Sequence, residues 1–426
     1  MLEFFHRVGS SSKMAVLLVA LAALVFDSSW FSVDGFSNPT SIHRLVSSSR
    51  NGKTTKLFAE APQYQKFEGI LQQAKCVGKG NYLLTIDYKD PVDGGKTKIE
   101  DYPEYEAGHV LALEIQPPCD DGKEEGESAE SRDSLISSRM TTMTEKTKKD
   151  LENNDGWLRG PYTVSFGYGS NNSNAEVNGN QQSNNGFKIL IKEVGYKSHV
   201  FATSKPGTPV LFGGKFKVPI AEGIRSAAEK ITDENCGETK RVVLVSSGVG
   251  VGPCIGAVEE LLASSSNTES IISIDLIASY RTLEEVSMPS TLETLQKKFK
   301  DGDDNCKKPN FHWKSIITSE EGRLSSKSPE SLRDYLRSPS AVNEKTNISA
   351  LTNTHYHIIG NGQLVTEWKE GLAKAGVPSS RVTVEAYFNH SAKPDPSAIE
   401  NIYEAVLKLE NDNQATETSL EAAVSP

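Results

Sequence analysis

The stretch VVLVSSGVGVGPCIGAVEELL, residues 242–262, decides the fold. An apolar, β-branched tract passes through a glycine-rich turn into helical spacing, which predicts a strand, a tight turn and a helix. Gly248, Gly250 and Gly252 would leave the turn without side chains, and the free N–H groups at the start of the helix favour an anion. Pro253 stands where the dinucleotide fingerprint G-x-G-x-x-G has its third glycine. The stretch alone therefore predicts either a nucleotide site or only a tight turn.

Residues 238–390 continue this alternation of strand and helix four times and end on a fifth strand. Such a pattern predicts a parallel sheet with helices on both faces, and ligands of such sheets bind at the carboxyl ends of the strands. The further strands are IISIDLIASY, NFHWKSIIT, HYHIIGNG and RVTVEAYF, and the helices are CIGAVEELLASS, MPSTLETLQKKF, SPESLRDYLRS and GQLVTEWKEGLAKAG.

Residues 60–225 show short strand-like segments separated by Gly, Pro and Asp, such as NYLLTIDY and FKILIKEVG, which predict a small antiparallel barrel. Residues 119–156 and 169–186 are too polar to offset the entropy of ordering, so we expect two flexible insertions in the barrel. In the C-terminal tail, residues 391–426, we expect one amphipathic helix over 399–410 and disorder after it. The predicted fold class is a β-barrel plus an α/β domain.

The first 59 residues have the composition of a targeting presequence. AVLLVALAALVF, residues 15–26, is typical of a signal peptide and too short to span a bilayer comfortably, so no stable transmembrane span is expected in the mature protein. Residues 36–59 are rich in Ser and Thr, basic and free of acidic residues. This order resembles the bipartite presequences of algal plastid proteins, so we expect a plastid (chloroplast) location. The alternative is a plain secretory signal followed by a disordered mature end.

Composition argues against several classes of function. The formal net charge of -10 disfavours nucleic-acid binding, which needs a concentrated basic face. The five cysteines are widely spaced without a C-x-x-C pair, so we expect neither a disulfide scaffold nor a metal site. No Ser/His/Asp or paired-carboxylate pattern is apparent.

The motifs, in their order, resemble those of the ferredoxin-NADP reductase superfamily of flavoprotein oxidoreductases. YEAGHVLALEI is similar to the family's P-G-Q-Y-V-x-L strand, GPYTVS to its R-x-Y-[ST] flavin motif, and VGYKSHVFATSKPGTPVLFGGKFKVP to its G-x-x-S segment. SSGVGVGP resembles T-G-T-G-I-A-P, whose proline corresponds to Pro253. HIIGNGQLV resembles C-G-x-x-x-M, and VEAYF resembles the closing E-x-Y or E-x-F. The resemblance covers roughly residues 66–390. It implies an antiparallel FAD-binding barrel followed by a parallel-sheet NAD(P)-binding domain.

The resemblance also implies residue roles, although a single strand aromatic is more often an ordinary core residue, and the hydroxyl and charged residues also fit ordinary strand or surface positions. The implied catalytic residues are Thr163, with its hydroxyl toward flavin N5, Glu385 near the nicotinamide, and Tyr387 over the flavin face, with Phe388 as the rival aromatic. The implied FAD contacts are Arg159, Tyr162, Thr163, Val164, Gly195, Lys197 and Ser198. The implied pyridine-nucleotide contacts are Gly248, Val249, Gly250, Pro253, Arg281, Gly360, Asn361 and Gln363.

Two positions depart from the family pattern. Gly160 stands where R-x-Y-[ST] has its arginine, and Arg159 lies one residue further back. Either the chain bulges to bring the Arg159 guanidinium to the cofactor diphosphate, or FAD is held less firmly. Ile359 replaces a cysteine that many members carry, and Cys254 either places a thiol in the same pocket or is a small buried hydrophobe.

The expected function is FAD-dependent transfer of a hydride between NAD(P)H and flavin, and then of electrons to an unidentified acceptor, a small molecule or a carrier protein. Arg281 either meets the 2′-phosphate of NADP(H), opposed by Glu284 and Glu285, or is a surface salt-bridge residue; a plastid would supply NADPH rather than NADH. One alternative is a non-catalytic flavoprotein-like binding or regulatory module. Another is a protein in which only the α/β half binds a nucleotide.

Overall fold

The structure is a computed structural model. The predicted presequence, most of both insertions and Phe388 lie outside the residues that the structure describes. Those residues are 64–89, 102–118, 144–167, 186–229, 238–263, 271–299, 309–337, 348–387 and 393–424.

The first part of the chain forms the predicted antiparallel near-barrel. Six strands pair in the order β4-β3-β6-β1-β2-β5, so that β4 and β5 are the edges of the sheet. Beyond the end of β4, the N–H groups of Ser165 and Phe166 both donate to the Lys188 carbonyl and draw the two edges together. The strands are β1 (Phe67–Gly78), β2 (Asn81–Tyr88), β3 (Val110–Ile115), β4 (Leu158–Thr163), β5 (Gly186–Lys192) and β6 (Thr208–Gly213).

Two helices accompany this sheet, α1 (Glu145–Asn153) and α2 (Tyr196–Thr203). Helix α1 lies inside the stretch 119–156, so the prediction of a wholly disordered insertion was wrong for this part. The Thr144 side chain accepts the Thr147 N–H at the start of α1, and Leu151 packs against the barrel core. One helix cap and one apolar contact with the barrel core thus accompany two and a half turns of otherwise charged sequence.

The second part of the chain forms the predicted parallel sheet, in the order β11-β10-β7-β8-β9. The chain runs outward from β7 to β9 and then crosses to β10 on the other side of β7, so the strand order switches between β7 and β10. The strands are β7 (Arg241–Ser247), β8 (Ser273–Tyr280), β9 (Asn310–Ile317), β10 (Thr354–Asn361) and β11 (Val382–Tyr387). The helices are α3 (Ile220–Glu229), α4 (Val251–Ala263), α5 (Pro289–Lys298), α6 (Thr318–Glu321), α7 (Pro329–Leu336), α8 (Gly362–Lys374) and α9 (Pro396–Val424).

Helices cover both faces of this sheet, as expected. Val242 and Leu244 share one apolar cluster with α3, α4, α5 and the barrel residues Ala107, Phe166 and Leu190, while the opposite face packs against α7, α8 and α9. The expectation of disorder after residue 410 was wrong, because α9 runs on to Val424. Asp412 pairs with Arg337 across 2.8 Å, and the Asn413 amide donates to the Ile348 carbonyl. None of the described helices is long and apolar enough to cross a membrane.

Candidate cofactor and nucleotide site

The nucleotide side of the site is built where β7 and β10 end beside each other. A short 3-10 turn, Gly248–Gly250, leads directly from β7 into α4. Gly248 has φ +56° and no heavy atom within 4 Å of the position a Cβ would take, so the loop backbone is open to a ligand. Pro253 lies in the first turn of α4, where its missing N–H costs no intrahelical bond. Gly248, Val249, Gly250 and Pro253 therefore lie together at this edge.

Residues after β10 complete the same edge. Gly360 has φ +132°, and a Cβ there would overlap the Ser247 hydroxyl, which accepts the Asn361 N–H at 2.9 Å. The Asn361 side chain caps α8 by accepting the Gln363 N–H at 2.8 Å. Two helices of 13 residues thus begin at the switch point, and the positive ends of their dipoles suit a diphosphate.

The Gln363 side chain is directed away from this edge. Its amide donates to Glu367, which is fully buried and also receives Ser325 at 2.6 Å and Arg323 at 2.7 Å. Gln363 therefore contributes its backbone to the site and its side chain to a structural network.

The three residues expected to be catalytic converge from two elements. The Thr163 hydroxyl, at the end of β4, donates to the Glu385 carboxylate on β11 at 2.6 Å, and both side chains are buried. Burial raises the pKa of Glu385, and the nearby Lys217 charge and the Thr163 hydrogen bond partly offset this increase. Tyr387, two residues along β11, is partly buried against the apolar cluster that contains Val242, Leu244 and the barrel residues. Burial and the nearby Glu385 raise the pKa of Tyr387 well above the usual value.

The Cys254 thiol is fully buried in the same cluster. Burial raises the pKa of this thiol far above its usual value, with a smaller effect from Glu385. Of the two interpretations in the sequence analysis, the structure supports the small buried hydrophobe.

The side of the site predicted to hold the flavin is the edge of β4 beside α2. Tyr162 meets Phe201 of α2 edge to face, with ring centroids 5.4 Å apart, and burial raises the pKa of its phenol. Lys197 lies in the first turn of α2, where its ammonium group donates to the Arg159 carbonyl at 3.0 Å and lies 5.9 Å from the Tyr162 ring centroid. Tyr162 and Lys197 are thereby brought together.

Ser198, Gly195 and Val164 contribute mainly to local structure. The Ser198 hydroxyl accepts the N–H groups of Gly195 and Val194 and so closes the start of α2. Gly195 itself is open, with no heavy atom within 4 Å of a Cβ position. Val164 is fully buried in the barrel core, and its N–H and carbonyl are bonded to His109 and Gly108.

Arg159 is not brought to this edge. It pairs directly with Glu114 of β3 in an unbroken register, whereas Tyr162 pairs with Leu111, so the two side chains lie on opposite faces of β4. Its guanidinium lies 4.9 Å from the Tyr64 ring centroid and 3.6 Å from the Glu114 carboxylate. The pairing of β4 with β3 contains no bulge that would bring the Arg159 guanidinium to the face that carries Tyr162.

Arg281 is exposed at the end of β8, at the start of the loop that leads to α5. Glu285, which the sequence analysis set against it, pairs instead with Lys192 of the barrel at 2.8 Å. Asn81 of β2 donates to the Glu285 carbonyl at 2.7 Å and to Ser287 at 2.9 Å. Sequence reasoning missed these interdomain contacts, as it missed Lys217, because residues far apart in sequence carry no local signal of meeting.

The open glycines, the paired helix N-termini and the Lys197 ammonium fit the phosphates of two dinucleotides. An antiparallel near-barrel followed by a parallel α/β sheet is the fold class that the motif resemblance predicted. Residues 239–399 match the family model described as the ferric reductase NAD binding domain. The part of the chain that holds the parallel sheet is thus similar to an NAD-binding domain.

Solved structures with a similar arrangement share little sequence with this chain. A flavohemoglobin from Malassezia yamatoensis with bound FAD and heme is 15% identical, with a TM-score of 0.45, over 76% of this chain and 60% of that chain, so this chain spans less than two thirds of it. The CS-b5R domains of human Ncb5or are 13% identical (TM-score 0.45; 76% and 71% covered). The ferredoxin-NADP+ reductase of Plasmodium falciparum is 14% identical (TM-score 0.42; 76% and 96% covered). A search of curated protein sequences found no significant match.

Proposed function

We propose that the protein is an FAD-dependent oxidoreductase that takes a hydride from NADPH and delivers electrons to an acceptor outside the two domains. The observation that carries the proposal is the buried Thr163–Glu385 hydrogen bond of 2.6 Å, which joins the open edge of the barrel to the nucleotide edge of the sheet. Hydride transfer requires the flavin on the barrel and the nicotinamide on the parallel sheet to be held against each other, and residues shared by both domains can fix that position.

The flavin, when bound, supplies acceptance of a hydride and release of electrons singly or as a pair. The chain's own task is positioning. The backbone from Gly248 to Gly250 and the two helix N-termini hold the nucleotide phosphates, and Tyr387 excludes water from the junction. The Thr163 hydroxyl donates its proton to the Glu385 carboxylate, whose pKa is raised by burial.

The preference for NADPH rests on Arg281. Arg281 is exposed at the end of β8, next to β7, and the carboxylate of Glu285, one of its two acidic neighbours, pairs with Lys192. Stopped-flow reduction by NADPH and by NADH tests this preference. Arg281→Gln should slow reduction by NADPH and leave reduction by NADH unchanged. Arg337 pairs with Asp412, and Arg337→Gln should alter neither rate. Equal rates with both nucleotides in the unaltered protein would contradict the preference.

The decisive experiment for the function is purification followed by a visible spectrum and titration with FAD. A yellow protein whose flavin is bleached by NADPH supports the proposal, and a panel of small-molecule and protein acceptors then identifies the electron acceptor. A colourless protein that FAD cannot reconstitute would refute it and would favour a non-catalytic module. Binding of NADPH without any flavin would restrict the activity to the α/β domain.

We also propose a plastid location, supported by the signal-like residues 15–26 and the acid-free segment 36–59. Residues 1–59 fused to a fluorescent protein should direct it to the plastid of an alga with extra plastid membranes. Removal of residues 36–59 should leave the fusion in the secretory pathway. Secretion of the complete fusion would overturn this proposal.

A further inference from the structure

Gly160 stands where the R-x-Y-[ST] motif has its arginine. In the structure, a lysine side chain from helix α2 occupies the space beside this glycine. Gly160 pairs with Leu113 and faces the inner side of β4, as Tyr162 does. A Cβ built on Gly160 would overlap the Lys197 ammonium nitrogen and lie 3.1 Å from its Cε. The end of the Lys197 side chain thus occupies the space that a side chain at position 160 would enter.

The position of Lys197 is fixed by contacts on both sides. Its ammonium group donates to the Arg159 carbonyl at 3.0 Å and lies over the Tyr162 ring. Lys197 belongs to the first turn of α2, an eight-residue helix that begins at Tyr196 after the open Gly195. The cation therefore lies between the open edge of β4 and the start of a helix.

Arg159 cannot supply this charge without breaking the barrel. Its guanidinium lies on the other face of β4 beside Glu114, a carboxylate that is almost fully buried and also receives Lys66 at 2.9 Å. Turning Arg159 toward Tyr162 would shift the register of β4 by one residue and move every inward side chain of the strand outward.

We propose that Lys197 replaces the missing arginine and is the residue that positions the phosphate end of the flavin cofactor. This inference rests on the proposed function, because it presupposes that a flavin binds at this edge. A lysine ammonium is a compact point charge, unlike the planar guanidinium fork. It therefore recognises the presence of phosphate rather than the geometry of a diphosphate, and Lys197 should distinguish phosphorylated flavins from riboflavin.

The test is equilibrium titration of the full chain with FAD, FMN and riboflavin, followed by flavin fluorescence. Lys197→Gln keeps a donor for the Arg159 carbonyl and removes the charge. We expect this variant to bind FAD and FMN at least about tenfold more weakly and riboflavin as the unaltered protein does. Lys197→Arg should bind FAD within about threefold of the unaltered protein. Lys205→Gln, past the far end of α2, is the matched control and should change nothing.

Moving the positive charge from Lys197 to position 160, where the R-x-Y-[ST] motif has its arginine, gives a second, independent test. The double variant Gly160→Arg with Lys197→Gln should recover most of the lost FAD affinity, because the new side chain enters space that Lys197 has vacated. Unchanged FAD binding by Lys197→Gln, equal loss of riboflavin, or tighter FAD binding would overturn the inference. So would a loss of FAD affinity in Arg159→Gln that Lys197→Gln does not show. An unaltered protein that binds no flavin would overturn the proposed function as well, which distinguishes the two failures.

Discussion

Gly360 is a residue at which the edge formed by the ends of β7 and β10 is sensitive to a single methyl group. Its φ of +132° lies in a region that side chains rarely adopt, and a Cβ would overlap the Ser247 hydroxyl that accepts the Asn361 N–H. Gly360→Ala should therefore lower the free energy of unfolding by at least about 1 kcal/mol and weaken nucleotide binding. Urea denaturation and NADPH titration measure the two effects.

The matched control is Gly223→Ala in α3. Gly223 has ordinary backbone angles and no heavy atom within 4 Å of its Cβ position, so alanine there should stabilise the helix by about 0.5–1 kcal/mol. Two glycine-to-alanine changes of opposite sign would show that the cost at Gly360 comes from its conformation. A neutral Gly360→Ala would contradict the predicted overlap.

Thr163 is the residue whose hydroxyl satisfies a buried carboxyl of the other domain. Thr163→Val keeps the shape of the side chain and removes the donor to Glu385. The free energy of unfolding should fall by about 1–3 kcal/mol, because Glu385 stays buried without this partner. The pKa of Glu385 should rise further, since the hydrogen bond lowers it. Thr203→Val, which removes an exposed hydroxyl bonded to the His199 carbonyl, is the control for urea denaturation.

At the scale of elements, the β10–β11 pair carries two buried histidines that make stability depend on pH. His355 and His357 share the Thr383 hydroxyl at 3.0 and 2.9 Å, and burial lowers the pKa of each from 6.5 to about 3. Below pH 6.5 the unfolded chain binds protons that the folded protein excludes. Stability should therefore fall as the pH drops, by about 2 kcal/mol per histidine near pH 5.

His357→Asn keeps an acceptor or donor near Thr383 and removes the titration, so the loss of stability between about pH 7 and pH 5 should be smaller than in the unaltered protein. The comparison has to be made between the two proteins. Burial raises the pKa of Glu259 and Glu260 to about 7, which favours the folded state at low pH in both. Urea midpoints at the two pH values measure the difference, and parallel pH profiles would refute the prediction.

Helix α9 is a structural part of the α/β domain rather than a tail. Ile402 is fully buried and packs against Gly371 of α8, whose missing side chain permits the close approach. Ile402→Ala should lower the free energy of unfolding by about 2–5 kcal/mol, because it leaves a cavity between the two helices. Glu404→Ala, on the exposed side of the same helix, should have no measurable effect by the same denaturation assay. Equal stability of both variants would show that α9 is not docked.

For the whole molecule, the sequence predicts the architecture well because local periodicity carries it. The apolar runs of β7 to β11 and the helical spacing between them predict a parallel sheet with connecting helices. The sequence does not predict α1 or the second half of α9. Their order depends on contacts with distant residues, such as Leu151 with the barrel and Asp412 with Arg337, which local composition cannot show.

The candidate site is predictable only in part, for a related reason. Motif resemblance predicts roles for Thr163, Glu385 and Tyr387, and the structure joins the first two by a hydrogen bond although 222 residues separate them. Spacing cannot show which face of β4 a side chain takes. Arg159 is therefore a poor substitute for position 160, and Lys197, from another element, is the cation that reaches it.

The two domains also meet through the loop between β8 and α5, and Asn81 is central to that contact. Asn81 is almost fully buried and donates to the Glu285 carbonyl and the Ser287 hydroxyl, while Met288 donates its N–H to the Val77 carbonyl. Arg281 begins the same loop. The hairpin of β1 and β2 thus holds in place the segment that we propose to recognise the 2′-phosphate.

Asn81→Ala should therefore weaken NADPH binding by several-fold although Asn81 lies in the barrel, because the loop carrying Arg281 loses two of its anchors. The free energy of unfolding should fall by about 1–3 kcal/mol, since the Glu285 carbonyl and the Ser287 hydroxyl each lose a buried partner. NADPH titration and urea denaturation measure the two effects. Lys89→Met, which breaks the exposed Lys89–Glu68 pair of the barrel, should change neither. If Asn81→Ala lowered stability without altering NADPH affinity, the loop would be held by its own sequence, and the barrel would have no part in nucleotide recognition.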